Sequence, residues 1–143
     1  MTARALAGIL LDVNIGRKFA RLVRREYHGE RWQPVWHRLA LPVLTLSALG
    51  LRDDTPDDLV WETCQQQGLV LLTCNRNRDG EHSLEAAIRR HNRPDSLPVF
   101  TVSNPSRFGA DSAYDARLAR DLIEYLLAID EMRGTGRLFV PID

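Results

Sequence analysis

Three short stretches of this chain carry side chains suited to holding a hard cation. Asp12 follows the apolar run Ile9-Leu10-Leu11, so a carboxylate stands where a buried strand ends. Asp57 and Asp58 follow Thr55-Pro56, at the start of a helical pattern. Asn75, Asn77 and Asp79 follow Leu71-Leu72-Thr73-Cys74, just beyond another apolar run. Oxygen ligands converging from several elements are what Mg²⁺ or Mn²⁺ requires. A cation pair bound there could activate water and stabilise the leaving oxygen of a phosphodiester. The third stretch weakens that expectation. An amide oxygen can ligate magnesium, but it brings no charge and takes no proton from an attacking water. Asp79 and the nearby Glu81 would supply carboxylates only if the loop shifted.

Each of these residues also has a structural job open to it. Asp12 or Asn14 could cap a following helix, and two candidates for one cap leave Asp12 freer to face a crevice. Thr55 and Asp58 have the spacing of a capping box, with Pro56 suited to the first helical position. The expected division is therefore Asp57 for the site and Asp58 for the helix end. His82, beside Glu81, could act as a base or ligand, but a surface histidine at a helix start fits the pattern better. Cys64 and Cys74 match no zinc spacing and are expected to be bystander thiols. No Ser-His-Asp order, phosphate-cradling glycine loop or dinucleotide fingerprint is present.

The elements that must position these groups alternate between strands and helices. Buried strands are predicted at 9–11, 43–46, 69–72 and 98–102, with an edge strand at 138–140. Helical spacing runs from Ile15 through Phe19, Leu22 and Val23 to Tyr27. A helix is predicted from Thr55 to Gln67, stopped by Gly68, another from about Ser83 to His91, and a long last one from Tyr114 through Ile129, closed by Gly134. Such alternation implies right-handed βαβ units, a central mainly parallel sheet and helices on both faces, an α/β fold in three α/β/α layers. The segment 27–41 carries Trp32 and Trp36 among several charges. A connecting segment with its tryptophans packed on the core is preferred over an exposed platform for bases.

With 143 residues, 44% hydrophobic and 27% charged, the chain is expected to form a single domain, 1–143. The formal net charge is zero. Affinity for nucleic acid would then depend on a local rim, for which Arg17, Lys18, Arg76 and Arg78 are the candidates. The competing expectation for the basic helix faces is ion pairing with Glu26 and Glu85. The apolar start is too short for a membrane span and has no cleavage pattern, which predicts a cytoplasmic protein with no membrane partner.

The runs Ile9-Leu10-Leu11-Asp12-Val13-Asn14, Thr55-Pro56-Asp57-Asp58-Leu59 and Leu71-Leu72-Thr73-Cys74-Asn75-Arg76-Asn77 together resemble PIN-like domains, in particular their compact, largely uncharacterised bacterial branch. The resemblance spans most of the chain. It implies a three-layer fold and a Mg²⁺- or Mn²⁺-dependent ribonuclease lineage that includes the toxins of toxin–antitoxin pairs. Asp12 matches the first acid of that pattern and Asp57 the acid that opens the helix after the second strand. Asn75 and Asn77 stand where the branch has Asp. Two functions follow: an endoribonuclease acting on single-stranded RNA, with Asp12, Asp57 and Asn75 at its centre and Asn77 and Asp79 as further ligands; or a catalytically degenerate module that binds nucleic acid or a protein partner. An antitoxin-like partner and a homodimer are both compatible with the resemblance.

Overall fold

The computed structural model describes residues 4–76 and 80–142. Its centre is one five-stranded sheet in the order β2-β1-β3-β4-β5, every neighbouring pair parallel. The strands are β1 (Gly8–Leu11), β2 (Val43–Leu44), β3 (Leu69–Thr73), β4 (Val99–Val102) and β5 (Arg137–Val140). β1, β3 and β4 are buried along their whole length, as their continuous apolar runs require of a parallel sheet covered on both sides. β2 is shorter than predicted. It pairs only through Val43 and Leu44, and Leu46 instead buries its side chain as the chain turns away.

Side chains of successive strand residues go to opposite faces, which builds two cores. On one face Ile9, Leu11, Val70, Leu72, Phe100 and Val102 pack against α1 (Gly16–Leu22), its π-helical continuation Val23–Tyr27, α2 (Gln33–Leu39) and α5 (Ser112–Leu127). On the other, Leu10, Leu69, Leu71 and Val99 pack against α3 (Asp57–Gln67) and α4 (Leu84–His91). This is the α/β layering that the alternation predicts. Trp32 and Trp36 pack on the first core, and the Trp36 ring stacks on Tyr27 with centroids 4.5 Å apart. The tryptophan segment is thus a packed connection. Tyr27 is buried, and its hydroxyl donates to the Ala119 carbonyl at 2.8 Å, tying this segment to α5.

The topology has one departure from uniform handedness. The connection from β1 to β2 and the connection from β4 to β5 both cross the α1/α5 face, but they move in opposite directions along the sheet. The β4–α5–β5 crossover therefore has the opposite hand to the other three, against the expectation that all are alike. As a consequence, α5 covers the side of β5 that Leu138 and Val140 occupy, and among the described residues no helix lies over Phe139, which is 42% exposed.

Several local expectations are corrected. Thr55 does not cap α3: its hydroxyl donates back to the Arg52 carbonyl at 2.6 Å, Pro56 occupies the cap position, and no side chain caps the helix. The capping box fails because Pro56, extended at ψ 144°, places the first helical residue at Asp57. The last helix breaks at Ala128 and resumes as the short α6 (Ile129–Met132). Ser83, in contrast, caps α4 by accepting from the Ala86 amide, and Asp111 caps α5 through the Tyr114 amide.

Gly68 ends α3 at φ +73°, where an added Cβ would lie 2.5 Å from the Ala5 carbonyl oxygen. Gly50 has the same φ but nothing within 4 Å of that Cβ. Gly68→Ala should therefore lower the unfolding free energy by about 2 kcal/mol or more and Gly50→Ala by about 1 kcal/mol, read from urea denaturation of both variants.

Candidate functional site

The strand order reverses between β1 and β3: the chain leaves β1 for the β2 side and leaves β3 for the β4 side. In open parallel sheets, ligands sit beyond the carboxyl ends of the strands at such a switch point. Asp12 follows β1, and Thr73 is the last residue of β3, its neighbour.

Here the three stretches singled out in the sequence meet through a continuous chain of hydrogen bonds. The Asn75 amide N–H donates to Thr73 Oγ1 at 2.9 Å. Thr73 is fully buried, and its hydroxyl donates to Asp12 Oδ2 at 2.5 Å. The other Asp12 oxygen accepts from the Val13 amide at 2.8 Å. Asn75 Nδ2 then donates to Asp57 Oδ2 at 2.8 Å. The direction of this last bond is fixed by chemistry, since beside a carboxylate only the NH₂ end of an amide is compatible. Asp12 and Asp57 thus belong to one network although 45 positions separate them (57 − 12).

Neither Asp12 nor Asn14 caps α1. That helix starts at Gly16 after Ile15, with no side-chain cap bond, and Asn14 instead turns the chain at φ +70°. The helix-cap alternative for Asp12 is thereby removed. Asp58 does not close a capping box either. One of its oxygens accepts from the Leu59 amide, and the other faces His82 Nδ1 at 2.7 Å. Asn77, Arg78 and Asp79 lie outside the described residues.

Two residues important to this network were not predicted from sequence. Thr73 is one; its only signal was a hydroxyl ending an apolar strand. Arg137 is the other, and it gave no local signal, because its partners are remote in sequence. Its guanidinium donates to the Asn75 carbonyl at 2.9 Å and to Thr101 Oγ1 at 2.6 Å, and pairs with Glu85 at 3.1 Å. Only 10% of this side chain is exposed. A buried arginine satisfied on several sides is a rigid clamp, and here it fixes the backbone from which the Asn75 side chain reaches Asp57.

The rim residues divide. Arg17 is exposed on α1. Lys18 lies over the Phe108 ring at 5.9 Å, and Arg76 lies over Phe139 at 5.3 Å while donating to the Ser103 carbonyl. Both cations act on Cys74 and partly offset the burial that pushes its thiol up. Cys64 is buried, its thiol pushed up to about 12, so neither cysteine is primed as a thiolate. The predicted ion pairing of the basic helix faces is not what the structure has. Glu85 pairs with Arg137, and among the described residues no ion pair joins the α1 cations to Glu26.

The described groups alone do not make a cation cage. Among the described residues, no group of three or more His, Cys, Asp and Glu could hold a metal ion. Asn75 turns an N–H donor toward Asp57, where a shared cation would need an oxygen from each side. The described donor set fits a hydrogen-bonded lock and does not fit a divalent ion.

Thr73→Val keeps the shape but strands the Asn75 N–H and removes a donor from Asp12. It should cost about 1–3 kcal/mol in chemical denaturation. The Asp58–His82 pair should show in pH titration. The hydrogen bond to His82 lowers the Asp58 carboxyl, and the same bond raises the imidazole. The pair's contribution to stability is then fully present between the ordinary Asp value of about 4 and the ordinary His value of about 6.5. It is lost as pH rises through the raised His82 value and as pH falls through the lowered Asp58 value. Asp58→Asn should move the His82 midpoint down, measured by NMR of the imidazole resonances. No protein-family model matches the chain, and no curated protein or solved structure matches it.

Proposed function

We propose that this chain is a PIN-like domain that binds single-stranded RNA without hydrolysing it. The observation that carries the reading is the Asn75–Asp57 hydrogen bond. In a metal-dependent nuclease, carboxylates facing each other at the strand ends are held together by the cation between them. In this chain an amide takes one of those places and satisfies Asp57 directly, so the crevice is closed by its own donors. The zero net charge leaves any affinity for RNA to a local rim; Lys18 and Arg76, both close enough to act on Cys74, supply half-exposed and exposed cations there, and Arg17 is exposed on α1.

The nuclease reading keeps one specific support, the joining of Asp12 and Asp57 in a single network at the switch point. The two readings differ in what metal does. The unaltered protein should show no heat of Mn²⁺ or Mg²⁺ binding by titration calorimetry and no metal-dependent cleavage of single-stranded RNA. Asn75→Asp sets two carboxylates against each other. In EDTA it should lose about 1–3 kcal/mol of stability, from the broken, half-buried hydrogen bond and the repulsion between the two acids. Millimolar Mn²⁺ should recover that loss, seen as a rise in Tm confined to the variant and larger when Asn77→Asp is added. Tight Mn²⁺ binding by the unaltered chain, or RNA cleavage that Asp12→Asn abolishes, would establish the nuclease instead.

A further inference from the structure

Beside the crevice, a groove of about 740 Å³ runs along the edge of the sheet, between Arg76 and the outer side of β5. α5 forms one wall of it through Tyr125, and because α5 packs on the opposite face of β5 the Phe139 side stays open. A helix following the common hand would cover Phe139; α5 lies on the other face. Phe139 is 42% exposed, and Ile142, in the same groove, is 60% exposed. The walls are Arg76, Ser103 and Tyr125, with the Arg137–Glu85 pair also in the lining. Tyr125 is braced from behind by Phe100, with ring centroids 5.7 Å apart. Arg137 is neutralised by Glu85, which leaves Arg76 as the groove's unbalanced cation.

We infer that this groove is a subsite for one nucleotide of a single-stranded nucleic acid, with the base packed against Phe139 and the backbone phosphate drawn to Arg76. The inference rests on the RNA-binding reading above and adds a location and a stacking residue to it. Phe139 stays 42% exposed with the Arg76 guanidinium over its ring at 5.3 Å, and an aromatic ring paired with an arginine is what single-strand binding uses, because every base has a π-face and every nucleotide a phosphate. Arg76 directly follows Asn75, so the groove opens where the hydrogen-bonded network at the crevice ends. A peptide adding to the sheet edge fits less well. β5 is only four residues long, and Pro141 at its end has no N–H to continue a ladder.

The test is fluorescence anisotropy of labelled oligouridylate and oligoadenylate 12-mers, in EDTA at low salt, with circular dichroism to confirm folding. Phe139→Ala should weaken binding about ten-fold or more, the loss expected when a stacked base is released. Phe139→Trp should restore affinity, and the added tryptophan emission should be quenched by unlabelled oligonucleotide. Leu59→Ala, which removes an exposed side chain on α3, should leave affinity unchanged. If the oligonucleotides bind equally to the unaltered chain and to Phe139→Ala, the subsite is wrong while RNA binding stands. If the unaltered chain binds neither, the RNA reading fails and the subsite with it. A protein that sediments as a dimer, becomes monomeric with Phe139→Ala and keeps its RNA affinity would make the groove a protein interface and overturn the inference.

Discussion

The Thr73 hydroxyl carries a single proton, and two groups compete to define its use. It accepts from the Asn75 amide, so its proton goes to Asp12. Because Thr73 is fully buried, loss of either bond would leave a polar group without water to replace its partner. This constraint joins the ends of β1 and β3 and sets the start of the following loop. Asn75 then extends the connection to α3 through Asp57. Four groups from three separate stretches are thereby held in one arrangement, and the chemistry available at the switch point follows from it.

The same arrangement decides how the crevice handles charge. Asp12 receives two hydrogen bonds, and Asp57 receives one from an amide. Fixed donors thus occupy lone pairs of both carboxylates. The cation-bridged design has the opposite requirement, since its acids repel each other until the metal arrives. Exchange of one oxygen for an NH₂ at position 75 moves the site from the second class toward the first with almost no change in shape. Arg137 makes this persistent. It is bound to the Asn75 carbonyl and anchored to Glu85, so the backbone that carries the amide is held in place.

Handedness links the edge of the sheet to its surface. With α5 on the α1 side, the other face of β5 carries Arg137, buried against Glu85 and the Asn75 carbonyl, and Phe139, which stays 42% exposed. One of these is consumed in holding Asn75; the other stays exposed. The edge strand therefore serves both the interior of the site and the surface beside it.

Much of the fold was legible in the sequence because it depends on local periodicity. Continuous apolar runs gave the buried strands, Gly68 and Ser83 marked helix ends, and the positions of Asp12, Asp57 and Asn75 beyond strand ends placed them at one edge of the sheet. Where local chemistry was ambiguous, the outcome needed the third dimension. Thr55 could satisfy a capping box or the Arg52 carbonyl, and the extended Pro56 chose the latter. The apolar stripe of α5 fits either face of a sheet, so the crossover's hand could not be read from it. Arg137 meets Asn75 across 62 positions (137 − 75), a separation at which no spacing rule operates. The sequence by itself determined which side chains stand at the strand ends and that two of them are amides. Only the tertiary structure decided that an amide proton of Asn75 points at Asp57, because a hydrogen bond's direction depends on what faces it.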